Sequence, residues 1–284
     1  MTRSLCCTGV LLVVGLSLGP AMAAQEAGSS TPSAATAELT RDEMRTFLLT
    51  ATVVRSRDIG KGVTRPKRLT LSKDGVTHDA AFQSVDERKM VTTLTGGGRA
   101  DQVELNFVDH YRYNVGAYAI AELLGLDPMM PVHVERRWDG KTGSLSWWVD
   151  TLMDEGERLK KKVQPPSSTD WNQQMYRMRV FAALTRDTDR NLGNVLITPQ
   201  WKVVMIDFTR AFRPQTDLLY PQDLPKIDRN LLPRLEGLTR EAIATAVGSH
   251  LMGREIEAVL GRRDVIVAHF RRLISLQGES VVLY

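Results

Sequence analysis

One segment in the second half of the chain limits its fold and chemistry more than any other. Asp189 is followed five residues later by Asn194, and Asp207 comes after two short apolar stretches. The apolar spacing of residues 171–185 predicts a helix directly before this segment, and Asp170 is the expected N-cap. We therefore expect Asp189 to lie in a polar loop directly after a helix.

The two apolar stretches, residues 195–197 and 202–206, predict a pair of short strands joined by a turn. This hairpin returns the chain, so we expect Asp189, Asn194 and Asp207 to converge on one cleft. A carboxylate can orient or deprotonate a hydroxyl, and carboxylate and amide oxygens bind Mg²⁺. One alternative is a polar turn in which Asp189 is incidental. The three-residue pattern favours phosphoryl transfer.

Two motifs resemble known kinase families. The pattern D-R-N-L-G-N followed by I-D-F resembles the D-R-H-x-x-N and I-D-F-G signature of phosphatidylinositol 3/4-kinases, with the same spacing to the second Asp. Residues 113–126 and the Met-Pro-Val that begins at Met130 resemble a helix and a V-P-P segment of secretory-pathway, Golgi casein kinase-like kinases. The chain is also similar to uncharacterised bacterial relatives of both groups.

The resemblance implies an α+β, bilobed protein kinase-like fold. Residues 39–150 would form a small N-lobe built on an antiparallel sheet, and residues 151–284 a mostly helical C-lobe. It also implies ATP as the phosphate donor and Mg²⁺ or Mn²⁺ as the cofactor. Asp189 would be the catalytic residue, and Asn194 and Asp207 the metal ligands. The acceptor, a hydroxyl on a protein, a lipid or a sugar, is left open.

The N-lobe carries candidate nucleotide-binding residues that depart from the kinase pattern. Gly60, Lys61 and Gly62 form a glycine-containing turn that would cover the phosphates, although an ordinary hairpin turn is an equal alternative. Gln83 stands where kinases keep a phosphate-binding Lys, and Asn114 aligns with the helix Glu that orients it. The two amides can hydrogen-bond each other as a neutral substitute for an ion pair.

This departure has two possible consequences. Another cation replaces the Lys, with Lys61 the best placed, or the protein is a pseudokinase that binds nucleotide or a partner protein without efficient transfer. Arg210 is a further residue of interest beyond the I-D-F turn. It would steady the metal-binding turn, receive an anion of the acceptor, or make a structural salt bridge.

The N-terminus has the features of a secretory signal. Arg3 precedes an apolar run at residues 5–18, and Ala21-Met22-Ala23 is a cleavage site of the A-x-A type. Residues 1–23 are therefore the expected signal peptide, and residues 24–38 a disordered linker rich in Ser, Ala and Thr. We expect export to a periplasmic or extracellular space. Both cysteines lie in the signal, so the mature chain would have no disulfide.

Composition argues against several other classes. The chain has 37 Lys and Arg against 33 Asp and Glu, mixed along its length, which does not favour nucleic-acid binding. The five histidines lack the spacing of a zinc site. No later stretch is apolar enough to span a membrane. We expect a monomer whose C-terminal residues 240–250, 255–260 and 264–276 form separate helices.

Overall fold

A computed structural model of the protein describes residues 39–60, 66–94 and 102–284. The expected signal peptide and linker, and also Lys61 and Gly62, lie outside the described residues. The chain from Leu39 to Tyr284 forms one compact unit. Its N-terminal region is an antiparallel sheet and its C-terminal part is helical, which is the expected bilobed, kinase-like arrangement.

The first helix begins where local sequence sets its start. In α1 (Arg41–Thr50), the Thr40 side chain accepts from the Glu43 backbone, and the Glu43 carboxylate accepts from the Thr40 backbone N–H at 2.7 Å. This reciprocal capping box satisfies two N–H groups that a helix leaves without partners. Phe47 and Leu48 on α1 are buried against the sheet.

The N-terminal sheet contains five antiparallel strands in the order β1-β2-β3-β7-β6. Its strands are β1 (Thr52–Asp58), β2 (Lys67–Lys73), β3 (Val76–Gln83), β6 (His133–Trp138) and β7 (Lys141–Trp147). Asp74-Gly75 joins β2 to β3 and Asp139-Gly140 joins β6 to β7, with positive φ at all four residues. Such two-residue turns match the twist of paired strands.

A separate hairpin and a helix connect β3 to the rest of the sheet. The hairpin consists of β4 (Asp86–Leu94) and β5 (Gln102–His110), and it leads into α2 (Arg112–Leu124). Gly125 ends α2 in the left-handed conformation, with φ of 66°. Glycine adopts this conformation at little cost, as the sequence indicates.

The C-terminal part is mostly helical, with one small sheet of order β10-β9-β8. Its strands are β8 (Met153–Asp154), β9 (Val195–Ile197) and β10 (Val203–Met205). Its helices are α3 (Glu155–Lys161), α4 (Ser168–Thr185), α5 (Leu231–Glu236), α6 (Arg240–Val247), α7 (Gly253–Gln277) and α8 (Glu279–Val282). Within the described ranges, none of the helices has both the length and the apolar character needed to cross a bilayer.

Two helix boundaries differ from the sequence-based expectation. The helix before the polar loop begins at Ser168, and Ser167 rather than Asp170 caps it by accepting from the Asp170 N–H at 3.2 Å. The two helices expected at residues 255–260 and 264–276 are one continuous helix, α7. The apolar pattern breaks at Gly261-Arg262 because Arg262, although charged, is fully buried.

Candidate active site

The polar loop after α4 exposes the Asp189 side chain. This side chain is 38% exposed, and its carboxylate accepts a hydrogen bond from Asn191 Nδ2 at 3.2 Å. The Asp189 backbone carbonyl accepts from Asn194 Nδ2 at 3.0 Å. The loop therefore fixes Asn194 against the backbone of Asp189 while leaving the Asp189 carboxylate open to solvent.

Arg190 joins this loop to the I-D-F turn. Its Nη1 donates to the carbonyl of Asn194 at 2.8 Å and to that of Ile206 at 2.6 Å. Its guanidinium also lies 4.2 Å from the centre of the Phe208 ring. The Arg190 side chain therefore binds the backbone both at Asn194 and next to Asp207, and it holds these two residues close together.

Asp187, the other acidic residue of the loop, has a different environment. Its side chain is fully buried and makes an ion pair with Arg190. Its Oδ1 also accepts from the Asp189 backbone N–H at 3.1 Å. An incoming molecule can therefore reach the Asp189 carboxylate but not that of Asp187.

Asp207 has a backbone conformation that is uncommon for residues other than glycine, with φ of 57°. Its Oδ1 accepts from Thr209 Oγ1 at 2.9 Å and lies 3.5 Å from Gln83 Nε2. The hydrogen bonds of these two side chains use Asp207 Oδ1 and Asn194 Nδ2. Asp207 Oδ2 and Asn194 Oδ1 are therefore the candidate oxygens for a cation.

Two protein oxygens suit an ion such as Mg²⁺ better than a metal ion that is coordinated by protein side chains alone. Among the described residues, no group of three or more His, Cys, Asp or Glu side chains could hold a metal ion. Mg²⁺ commonly takes one or two protein oxygens and completes its shell with water and phosphate oxygens. Asn194 and Asp207 match that pattern, so an ion here would depend on a bound phosphate.

Gln83 and Asn114 meet as the sequence indicates. Asn114 Nδ2 donates to Gln83 Oε1 at 2.6 Å and to Ser144 Oγ at 3.1 Å, and Asn114 Oδ1 accepts from the Phe208 backbone N–H at 2.7 Å. A neutral network thus replaces an ion pair and runs from the sheet, through α2, to the I-D-F turn. Because Asn114 is almost fully buried, these bonds fix the turn firmly.

The glycine turn is only partly described. Gly60 has φ of 71°, and a Cβ built on it would have no atom of the described residues within 4 Å. The expectation for Lys61 and Gly62 remains a prediction, because both lie outside the described residues.

Arg210 makes an ion pair with the candidate catalytic residue. Its Nη1 lies 3.5 Å from Asp189 Oδ2, and its guanidinium is 5.2 Å from the centre of the Phe107 ring. A cation at this position lowers the cost of negative charge next to Asp189. Of the three roles considered for Arg210, this contact is that of a salt bridge.

Sequence reasoning missed Asp109, at the end of β5. Asp109 is 8% exposed, and no donor in the described ranges reaches its Oδ1. Burial raises the pKa of this carboxyl, and the nearby charge of Asp207 raises it further, whereas Thr209 and Arg210 oppose the shift. In the sequence, Asp109 is one of several polar residues in the stretch before α2, so no local signal set it apart.

Comparison with solved structures identifies the fold. A structure titled as hydra Fam20 with sugar matches with a TM-score of 0.60 at 10% identity, covering 86% of this chain and 91% of the other. The Golgi casein kinase with Mn/ADP bound matches with a TM-score of 0.59 at 12% identity, covering 86% and 78%. The Helicobacter pylori proinflammatory kinase CtkA matches with a TM-score of 0.51 at 11% identity, covering 81% and 98%.

These similarities show a protein kinase-like fold, and the expected bilobed architecture is confirmed. No protein-family model matches the sequence, and no curated protein matches it either. At identities this low the structures establish the fold alone, so chemistry must be argued from the residues of this chain.

Proposed function

We propose that the protein is an exported, atypical kinase-like phosphotransferase that moves the terminal phosphoryl group of ATP to a hydroxyl acceptor with Mg²⁺ or Mn²⁺. The observation that carries this proposal is the arrangement around Arg190, which holds Asn194 and the Asp207 turn beside an exposed Asp189. The kinase-like fold supports the same conclusion. A related fold solved with Mn/ADP supports the choice of ligands.

The roles follow from accessibility and chemistry. The exposed Asp189 carboxylate would orient the acceptor hydroxyl and take its proton. Asn194 Oδ1 and Asp207 Oδ2 would hold the ion, which supplies positive charge against the phosphates. Arg210 would hold the Asp189 carboxylate in place through their ion pair.

The second candidate is a pseudokinase that binds nucleotide or a partner protein. The specific observation in its favour is the neutral network of Gln83 and Asn114, which leaves no ammonium at the usual phosphate-binding position. Removing one preorganised electrostatic donor commonly costs a hundred- to a thousandfold in rate, roughly. Lys61 in the glycine turn remains our proposed replacement.

The remaining expectations belong to the same proposal. The acceptor is a hydroxyl of a protein, a lipid or a sugar, and the protein acts as a monomer that does not bind nucleic acid. Export rests on the signal-like N-terminus. A kinase outside the cytoplasm needs ATP from its surroundings, so the proposal requires a compartment or host that supplies it.

Ligand-linked thermal stability tests the proposed nucleotide site. We expect ATP with Mg²⁺ or Mn²⁺ at about 100 times its Kd to add roughly 2.7 kcal/mol to the free energy of unfolding. The stabilisation should be strongly reduced in Asp207→Ala and unchanged in Asp150→Ala, an exposed Asp between the lobes. Absence of any stabilisation with either metal would contradict the proposal.

A transfer assay separates enzyme from pseudokinase. We expect transfer of labelled γ-phosphate to water or to an added acceptor, and a loss of at least a hundredfold in Asp189→Ala. The same variant should still bind ATP, because Asp189 is not a proposed metal ligand. Binding without transfer in the wild-type protein would favour the second candidate.

A further inference from the structure

The surface of the N-terminal sheet that faces the cleft can be identified from Gln83. Gln83 reaches Asp207, so its side of β3 lines the cleft. Side chains alternate along a strand, which places Ala81 and Asp79 on the same side as Gln83. Arg68 pairs with Ala81 across the sheet.

This surface is polar, whereas the other face of the sheet is apolar. Arg57 pairs with Arg68, and Thr70 pairs with Asp79, so both also lie over the cleft. The opposite face carries buried side chains: Leu69, Leu71, Ala80, Phe82 and Leu145. Binding pockets for small molecules are mostly lined by apolar side chains. The upper wall of this cleft therefore differs from an ordinary slot for a purine base.

Arg68 has a fixed position on this wall. Its Nε donates to Asp79 Oδ2 at 2.5 Å, and its guanidinium lies 3.9 Å from the centre of the Trp148 ring. Trp148 is tied to the same strand, because its backbone N–H donates to the Asp79 carbonyl at 3.0 Å. Thr70 Oγ1 donates to Asp79 Oδ1 at 2.6 Å, which holds the carboxylate. The plane of the guanidinium is thus set before any ligand arrives.

We propose that Arg68 determines base recognition in this cleft: the purine of the nucleotide stacks on the Arg68 guanidinium, which itself rests on Trp148. This inference rests on the proposed nucleotide-binding function. Guanidinium groups are planar and weakly hydrated, and they stack well on aromatic rings. The Arg68 side chain is 28% exposed, so a ligand can reach it.

The position of Arg68 suits the length of a nucleotide. Ala81, its partner across the sheet, is two residues from Gln83, and Asp79 is four residues away. At about 3.3 Å per residue, these positions are roughly 7 and 13 Å along the strand from the phosphate end of the cleft. A base stacked on Arg68 can therefore extend its phosphates towards Asp207.

If the base is recognised by stacking, the site should discriminate only weakly between one purine base and another. Every purine offers a flat π face, so stacking tolerates changes at the ring edge. ATP and GTP should bind with Kd values within about threefold of each other. A slot that reads the edge of adenine would discriminate far more strongly.

Calorimetric titration with ATP, GTP and inorganic triphosphate, each with Mg²⁺ or Mn²⁺, tests the inference. In Arg68→Ala we expect both nucleotides to bind roughly tenfold more weakly, as for loss of a stacking partner. Triphosphate has no base, and its affinity should not change. Lys73→Ala is the matched control and should leave both affinities unchanged, because Lys73 is on the opposite face of β2 and donates to Thr50 Oγ1 at 2.8 Å.

Arg68→Lys separates stacking from charge. Lysine keeps the positive charge beside Asp79 but has no planar guanidinium. It should therefore weaken the binding of ATP and of GTP nearly as much as alanine does. Unchanged or tighter ATP binding in Arg68→Ala, or a tenfold wild-type preference for ATP over GTP, would overturn the inference while the proposed function stands. If neither the nucleotides nor triphosphate bind the wild-type protein, the proposed function itself fails.

Discussion

At the residue scale, Gln83 and Asn114 show how two facing side chains can satisfy each other without charge. Removing one partner of a buried pair typically costs about 3–5 kcal/mol, since the other charge is left alone. Here both positions are amides, and Asn114 has a partner for each of its polar atoms. The network keeps the I-D-F turn in place, but it supplies no positive charge to a phosphate.

Asp109 gives a prediction of pH dependence. Burial raises the pKa of its carboxyl, so the native state keeps the proton at pH values where the unfolded chain, with a carboxyl pKa of about 3.9, has lost it. The native state then binds more protons than the unfolded state, and this contribution to stability falls as pH rises from about 4 through the raised pKa.

We expect Asp109→Asn to remove that dependence. Relative to wild type, the variant should gain stability at pH 8, on the order of 1 kcal/mol, and gain less at pH 4.5. Urea unfolding at the two pH values measures the difference. An equal difference at both values, or a large loss of stability at pH 8, would show that Asp109 is ionised and needed for its charge.

At the element scale, α7 is continuous because Arg262 has partners inside the protein. Its Nε donates to the Leu184 carbonyl at 2.6 Å, and its Nη1 donates to the carbonyls of Arg213 and Gln215 at 2.6 and 2.8 Å. Burial lowers the pKa of Arg262 to about 9, so it remains charged at neutral pH. Arg262 thereby holds the segment after the I-D-F turn against the end of α4.

Replacing Arg262 by leucine should destabilise the protein by about 2–4 kcal/mol, because two buried carbonyls and one partly buried carbonyl lose a charged donor. Arg272→Leu, an exposed position on the same helix, should change stability by no more than about 0.5 kcal/mol. Denaturant unfolding of both variants measures the effect. Similar small changes in both would mean that water replaces the lost hydrogen bonds.

At the scale of the whole molecule, the lobes are joined by backbone contacts as well as by the amide network. The His110 N–H donates to the Thr209 carbonyl at 2.8 Å, which ties the end of β5 to the segment after Asp207. The Phe208 backbone N–H donates a hydrogen bond to Asn114 Oδ1 on α2. These contacts cross from the N-terminal region to the I-D-F turn, so the two parts should unfold together.

A protein that begins at Leu39 tests this expectation, because Leu39–Tyr284 is one compact unit. We expect a single cooperative transition by circular dichroism and by tryptophan fluorescence, with a shared Tm within about 2 °C, as for a two-state domain. Two separate transitions would show that the lobes unfold independently. A protein that begins at Thr46, without the first half of α1, should melt at a lower temperature, since it lacks the capping box at Thr40.

The sequence by itself determined the features that depend on neighbouring residues. The capping box of Thr40 and Glu43, the Asp-Gly turns and the left-handed Gly125 are set by local hydrogen bonds and by allowed backbone angles. The resemblance of the motif around Asp189 to kinase signatures also implied the kinase-like fold.

Only the tertiary structure decided which distant side chains share an environment. Arg68, Asp79 and Trp148 meet although they are far apart in the chain, and Arg262 contacts carbonyls 47 to 78 residues away. A charged side chain such as that of Arg262 is buried only where the fold supplies its partners. Those partners come from the path of the whole chain, which no local pattern contains.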